Sequence, residues 1–139
     1  MNIKGKVDRV DIYDGRLRVI DYKTGSLDDK EITFANPMPG KWLQLMWYAL
    51  VYTKSHPLPA DHASLLAGIY PLRNLRSDVR LARWDADTAI TPDRLDLFEQ
   101  MLRDKIAELM NPEQDFVATP STTACKYCPA KTFCDSKMT

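Results

Sequence analysis

The stretch VDRVDIYDGRLRVIDYKTG, residues 7–25, decides how this chain is read. Two runs of alternating apolar residues flank Asp14-Gly15, a pair that accepts positive φ and so favours a tight hairpin turn. A two-residue loop there fixes the register. Tyr13 then faces Arg16, and every cross-strand pair has positions that sum to 29. Ile12 meets Leu17 and Val10 meets Val19 on one apolar face, while Asp11 meets Arg18 and Val7 meets Tyr22 on the other. Followed outward, the apolar face brings Asp8 opposite Asp21, with Lys23 two residues further along the same side.

Two carboxylates in directly opposed positions are costly. With Cβ atoms roughly 5 Å apart and an effective dielectric of about 20, like charges repel by about 3 kcal/mol. Protonating one acid, or holding a cation between them, removes that cost. Hard divalent ions such as Mg²⁺ take carboxylate oxygens, commonly one or two from the protein beside phosphate oxygens. Paired acids with a neighbouring lysine therefore point to metal-assisted attack on a phosphodiester, the metal lowering the pKa of a water that the lysine positions. The plainer reading is a pair of solvated acids at a sheet edge, matched with Lys6 and Lys23. A bulged three-residue turn would also shift the register and separate them.

The rest of the chain sets the frame. Its 139 residues, 45% hydrophobic, suffice for one compact core, and a formal net charge of zero shows no basic excess for a polyanion. No stretch is long and apolar enough to cross a membrane and no signal-peptide pattern is present, so a cytoplasmic protein is expected. Residues 3–12 and 17–23 read as strands, 26–39 as a Pro-rich loop, and 41–54 as a buried helix, apolar nearly all round. Two more strands follow at 64–72 and 78–85. Thr91 resembles an N-cap ahead of Pro92, opening a helix that ends at Asn111-Pro112. The division expected is a core over 1–117 and a Cys-containing segment over 118–139.

The three cysteines, Cys125, Cys128 and Cys134, all fall in that last segment as C-x2-C-x5-C. An odd count in one cluster argues against a disulfide framework and offers three soft ligands for zinc or an iron–sulfur cluster. A complete site normally needs four. Free thiols are the competing reading, and His56 and His62, the only histidines, sit in a distant Pro-rich loop.

GKVDRVD, then VIDYKTG, then QLMWY, then CKYCPAKTFC, in that order from about Ile3 to Cys134, resembles the RecB/AddB-type nuclease domain of the PD-(D/E)XK superfamily. The resemblance implies an α/β restriction-endonuclease-like core, a mixed β-sheet flanked by helices, here without the first core helix. It implies that Asp8 and Asp21 bind Mg²⁺ or Mn²⁺ with the main-chain carbonyl of Tyr22, and that Lys23 is the catalytic lysine. Gln44 and Tyr48 match a Q-x-x-x-Y motif associated with DNA binding near the active site, and they lie four apart on one helical face. A satisfied pair of core residues is the other reading of them.

The same resemblance implies a [4Fe–4S] cluster on Cys125, Cys128, Cys134 and a fourth cysteine upstream of Met1. The acid or histidine helix that completes the metal shell would also lie upstream, so the chain is expected to be the C-terminal part of a longer protein. The function implied is Mg²⁺-dependent DNA exonuclease action beside a helicase in recombination, repair and end processing. A catalytically silent nuclease-like module that binds DNA or scaffolds a helicase is the alternative, and a small zinc module is a third. Arg73, Arg76, Arg80, Arg83, Lys126, Lys131 and Lys137 are the basic residues open to phosphates, solvated surface charge being the simpler account of most.

Overall fold

The computed structural model describes residues 4–58, 63–74, 76–115, 117, 119, 122–126 and 128–135. The chain forms two compact units, Met1–Arg103 and Asp104–Thr139.

The first unit is built on a hairpin. β1 (Arg9–Tyr13) and β2 (Arg16–Lys23) pair antiparallel from Arg9↔Ile20 to Tyr13↔Arg16, the register that a two-residue loop demands. Asp14 and Gly15 supply it with φ of 51° and 68°, the left-handed conformation whose twist matches that of the strands. β3 (Leu66–Pro71) lies parallel to β2, and β4 (Arg80–Leu81) lies antiparallel to β3, giving a mixed sheet in the order β1-β2-β3-β4. A parallel neighbour requires a crossover, and α1 (Gly40–Ser55) lies within it.

α1 packs on β2 and β3. Trp42, Leu45, Met46, Ala49 and Leu50 are buried, a stripe at helical spacing, while Leu43, Trp47 and Tyr48 remain half-buried. The helix expected to be buried all round is therefore one-sided. It meets Leu17 and Val19 of β2 and Ala67 and Ile69 of β3, all in one core. Trp42 anchors that core, with Phe34, Trp84 and Phe98 rings 5.0, 5.2 and 5.8 Å away and its indole N–H donated to the Arg83 carbonyl at 2.9 Å.

α2 (Pro92–Leu109) starts as expected, with the Arg94 N–H donated to Thr91 Oγ1 at 3.3 Å, and buries Leu95 and Phe98. Two expectations change. The strand placed at 78–85 pairs with β3 only at Arg80–Leu81. Beyond Ala82 the backbone turns to the 32–34 segment, Arg83 N–H bonding the Ile32 carbonyl and Phe34 N–H the Arg83 carbonyl, because Trp84 belongs to the aromatic cluster. The loop at 26–39 is also more ordered than its composition indicates. It holds a 3-10 turn, Asp29–Ile32, closed by a reciprocal cap between Asp28 and Glu31, and it buries Ile32.

In the second unit, α3 (Thr122–Cys125) and α4 (Lys131–Asp135) follow the end of α2. Among the described residues, no helix is long and apolar enough to cross a membrane.

Candidate active site

Alternation along β2 puts Leu17, Val19, Asp21 and Lys23 on one side of the sheet, and the first two lie in the core beneath α1. Asp21 is carried into that core by the same period. It is 3% exposed, the one buried charged residue among those described. Its Oδ2 lies 2.9 Å from Lys23 Nζ, yet that oxygen receives no well-directed hydrogen bond. The Lys23 ammonium meets part of the cost of burying this carboxylate, and the oxygen has no hydrogen bond besides. Lys23, with a third of its side chain exposed, reaches outward from the same strand.

Asp8 arrives differently from the way the register predicts. The paired ladder stops at Arg9↔Ile20, one residue short of an Asp8–Asp21 pair. Instead Asp8 Oδ2 accepts the Tyr22 N–H at 3.0 Å, so the side chain replaces the ladder bond and holds the lead-in segment against the end of β2. This break also corrects the expected Val7–Tyr22 pairing. Val7 packs against the core, while the Tyr22 ring meets Tyr70 edge to face at 6.1 Å. Asp8 and Asp21 still converge on one stretch, the Asp21–Lys23 end of β2.

The donor set suits a hard divalent cation. Asp21 offers a buried oxygen held only by the Lys23 ammonium, and the Asp8 carboxylate spends one oxygen on the Tyr22 N–H. Among the described residues no group of three His, Cys, Asp or Glu is placed to hold a metal ion. Two carboxylates are thus what this stretch brings.

A support was missed in the sequence. Lys41, in the first turn of α1, bonds Glu31 at 2.7 Å and the Ser26 carbonyl at 3.2 Å, fastening the segment that follows Lys23. The Glu31 carboxyl is held below its usual range by Lys41 first and by the Asp28 N–H second. The D-x-x-E spacing of Asp28 and Glu31 is the signal that could have found it.

Gln44 and Tyr48 do meet, Gln44 Nε2 donating to Tyr48 Oη at 2.8 Å. Gly5 lies over them. A Cβ added to it would come within 3.0 Å of Trp47 Nε1 and 3.2 Å of the Tyr48 ring, so only glycine lets the chain pass this close to α1. The cysteines belong to the second unit. Cys125 ends α3, Cys134 lies in α4, and all three are half-buried free thiols. A turn joins them, with the Cys128 N–H donated to the Cys125 carbonyl at 3.3 Å. His56 stacks on Tyr52 at 4.7 Å, and His62 lies outside the described residues. Arg80 is engaged with Asp29, and Lys137 lies outside the described residues.

With the site laid out, comparison with known proteins decides the family. The profile of the PD-(D/E)XK nuclease superfamily matches residues 1–135. The chain belongs to the PD-(D/E)XK nuclease superfamily. Its mixed sheet, with helices beside it, agrees with that fold. One similar protein is an ATP-dependent helicase/deoxyribonuclease subunit from Carboxydothermus hydrogenoformans, 40% identical over 60 residues. The match covers 40% of this chain and 5% of that much longer relative. No solved structure matches.

Proposed function

We propose that this nuclease-superfamily chain hydrolyses DNA phosphodiesters with Mg²⁺ or Mn²⁺, as an exonuclease working beside a helicase in recombination, repair and end processing. The observation that carries the reading is Asp21, buried to 3% with an unsatisfied oxygen and flanked by Lys23 and Asp8. A buried acid in a purely structural role normally carries several hydrogen bonds, whereas Asp21 Oδ2 has only its ion pair with Lys23.

In this mechanism Asp21 and Asp8 would hold the cation, with the main-chain carbonyl of Tyr22 as a further ligand. The bound ion supplies a water of lowered pKa and screens charge on the phosphate. Asp8 also anchors the Asp21–Tyr22 peptide by accepting the Tyr22 N–H at 3.0 Å. Lys23, paired with Asp21 at 2.9 Å, would orient the attacking water and meet the developing negative charge. Gln44 and Tyr48, bonded to each other at 2.8 Å, would contact DNA near the site. The likeness to a helicase/deoxyribonuclease subunit supports the helicase partner. Cys125, Cys128 and Cys134 are the thiols that would contribute to a [4Fe–4S] site, although among the described residues they are not gathered as a metal-binding group.

The test is cleavage of end-labelled linear DNA with Mg²⁺, Mn²⁺ or chelator, by the chain and by Asp21→Ala. Cation-dependent cleavage that Asp21→Ala abolishes is the expected result. Full activity in the variant overturns the site assignment. Cation-dependent DNA binding without cleavage would instead favour the silent module.

A further inference from the structure

The sheet has a second face. Alternation along β2 puts Arg16, Arg18, Ile20 and Tyr22 on the side away from Asp21 and Lys23. There Ile20 and Leu66 are 2% and 6% exposed, yet both stand outside the core that α1 and α2 close. They lie in the floor of an open groove of about 630 Å³. Val79 and Leu81 wall one side of it. Gly68 lets them approach, since a Cβ there would come within 2.7 Å of Val79 Cγ1 and 2.8 Å of the Arg80 carbonyl.

The rim is cationic. Arg9, Arg16, Arg18 and Arg76 line the groove, and no lysine and no residue of a helix is among its lining. Asp11 takes Arg9 and Arg18, whereas Arg16 and Arg76 are exposed and meet no acid among the described residues. β2 and β3 run parallel, and parallel strands are normally covered on both faces.

We infer that this face docks an acidic amphipathic helix of a partner protein, its apolar stripe on Ile20, Leu66 and Leu81 and its carboxylates on Arg16 and Arg76. The inference stands apart from the nuclease reading, because the groove lies across the sheet from Asp21. From Arg16 to Tyr22 the strand runs roughly 20 Å, the length of a helix of about 13 residues. Arginine and tyrosine are enriched where proteins meet and lysine is depleted there, which matches this lining. A DNA strand is the competing occupant. Asp14 and Asp78 also line the groove and repel a backbone charged at every nucleotide, whereas a helix can set uncharged side chains against them.

The experiment follows the fluorescence anisotropy of two labelled peptides with the chain in chelator. Both are stapled helices about four turns long with one leucine stripe, and the polar face is glutamate in one and lysine in the other. Labelled oligothymidylate and a duplex of equal length complete the set. The glutamate peptide should bind roughly tenfold tighter than the lysine peptide, and tighter than either DNA. Arg16→Glu with Arg76→Glu should reverse the order of the two peptides. Both side chains are exposed, and thermal melting checks that the variant folds. If it does not, Tyr13→Ala carries the test, removing a ring 65% exposed at the groove and weakening the glutamate peptide about fivefold.

No binding of the glutamate peptide, equal affinity for the lysine peptide, or an order that the charge reversal leaves unchanged would overturn the inference. Oligothymidylate or duplex that binds tighter and displaces the glutamate peptide would overturn it in favour of nucleic acid. Cleavage is absent in chelator, so neither result bears on the nuclease reading.

Discussion

The hairpin carries two acid–base pairs that look alike in sequence and differ in kind. Asp11 and Arg18 face each other across the strands and share two hydrogen bonds, at 2.8 and 2.9 Å, with Arg9 adding a third contact at 2.6 Å. Every oxygen of Asp11 is matched, and its carboxyl is held below the usual range by Arg18 first, then by Arg9. Asp21 and Lys23 instead lie along one strand, on the face toward the core, with a single 2.9 Å contact at Asp21 Oδ2 and no well-directed hydrogen bond to that oxygen. The satisfied pair stabilises the hairpin. The unsatisfied one is poised to bind something else. On the proposed reading, burial without full hydrogen bonding, rather than charge, separates site from scaffold.

That contrast can be broken by experiment. The largest effect is expected on cleavage. Asp21→Ala and Lys23→Ala should each lower Mg²⁺-dependent DNA cleavage about a thousandfold, some 4 kcal/mol in barrier, while Asp11→Asn changes it little. Comparable losses in all three would erase the distinction. Next comes stability without metal. Lys23→Met strips the buried Asp21 of its counter-charge and should cost about 2 kcal/mol by denaturant melting, one-third exposure of Lys23 softening the loss. Adding Asp21→Asn should restore it, and failure of that rescue would show the pair is not coupled.

A smaller loss, about 1 kcal/mol, is expected from Arg18→Ala, since Arg9 remains to meet Asp11. The least effect is on pH dependence. Because folding lowers the Asp11 pKa, its contribution is present above the unfolded value, about 3.9, and disappears as pH falls through the lower folded value. Melting from neutral pH into this acid range should therefore show a shallower decline for Asp11→Asn than for the parent. Glu31, Asp87 and Glu99, also lowered, keep part of the slope in both. Identical slopes would show that Asp11 gains nothing from its partners on folding.

Much of this was legible because it is local. Asp14-Gly15 sets the turn, the turn sets the register, and a period of two puts Leu17, Val19, Asp21 and Lys23 on one side. Thr91-Pro92 announced α2 in the same way. The misreadings lie where distant groups compete for the backbone. Val7 pairs with nothing in β2 because the Asp8 side chain takes the Tyr22 N–H, and the strand at 78–85 is cut short because Trp84 is drawn to Trp42. The Asp28–Glu31 cap was written in the sequence and obscured by the prolines around it.

The sequence by itself determined the hairpin, its register and the family motifs along it, since these depend on neighbours a few residues apart. Only the tertiary structure decided that Asp21 is sealed from water, that β3 lies parallel beside it and that α1 covers one face and leaves another half-bare. Burial is a property of what packs over a residue, and the segments packed around Asp21 come from parts of the chain that no local pattern brings together.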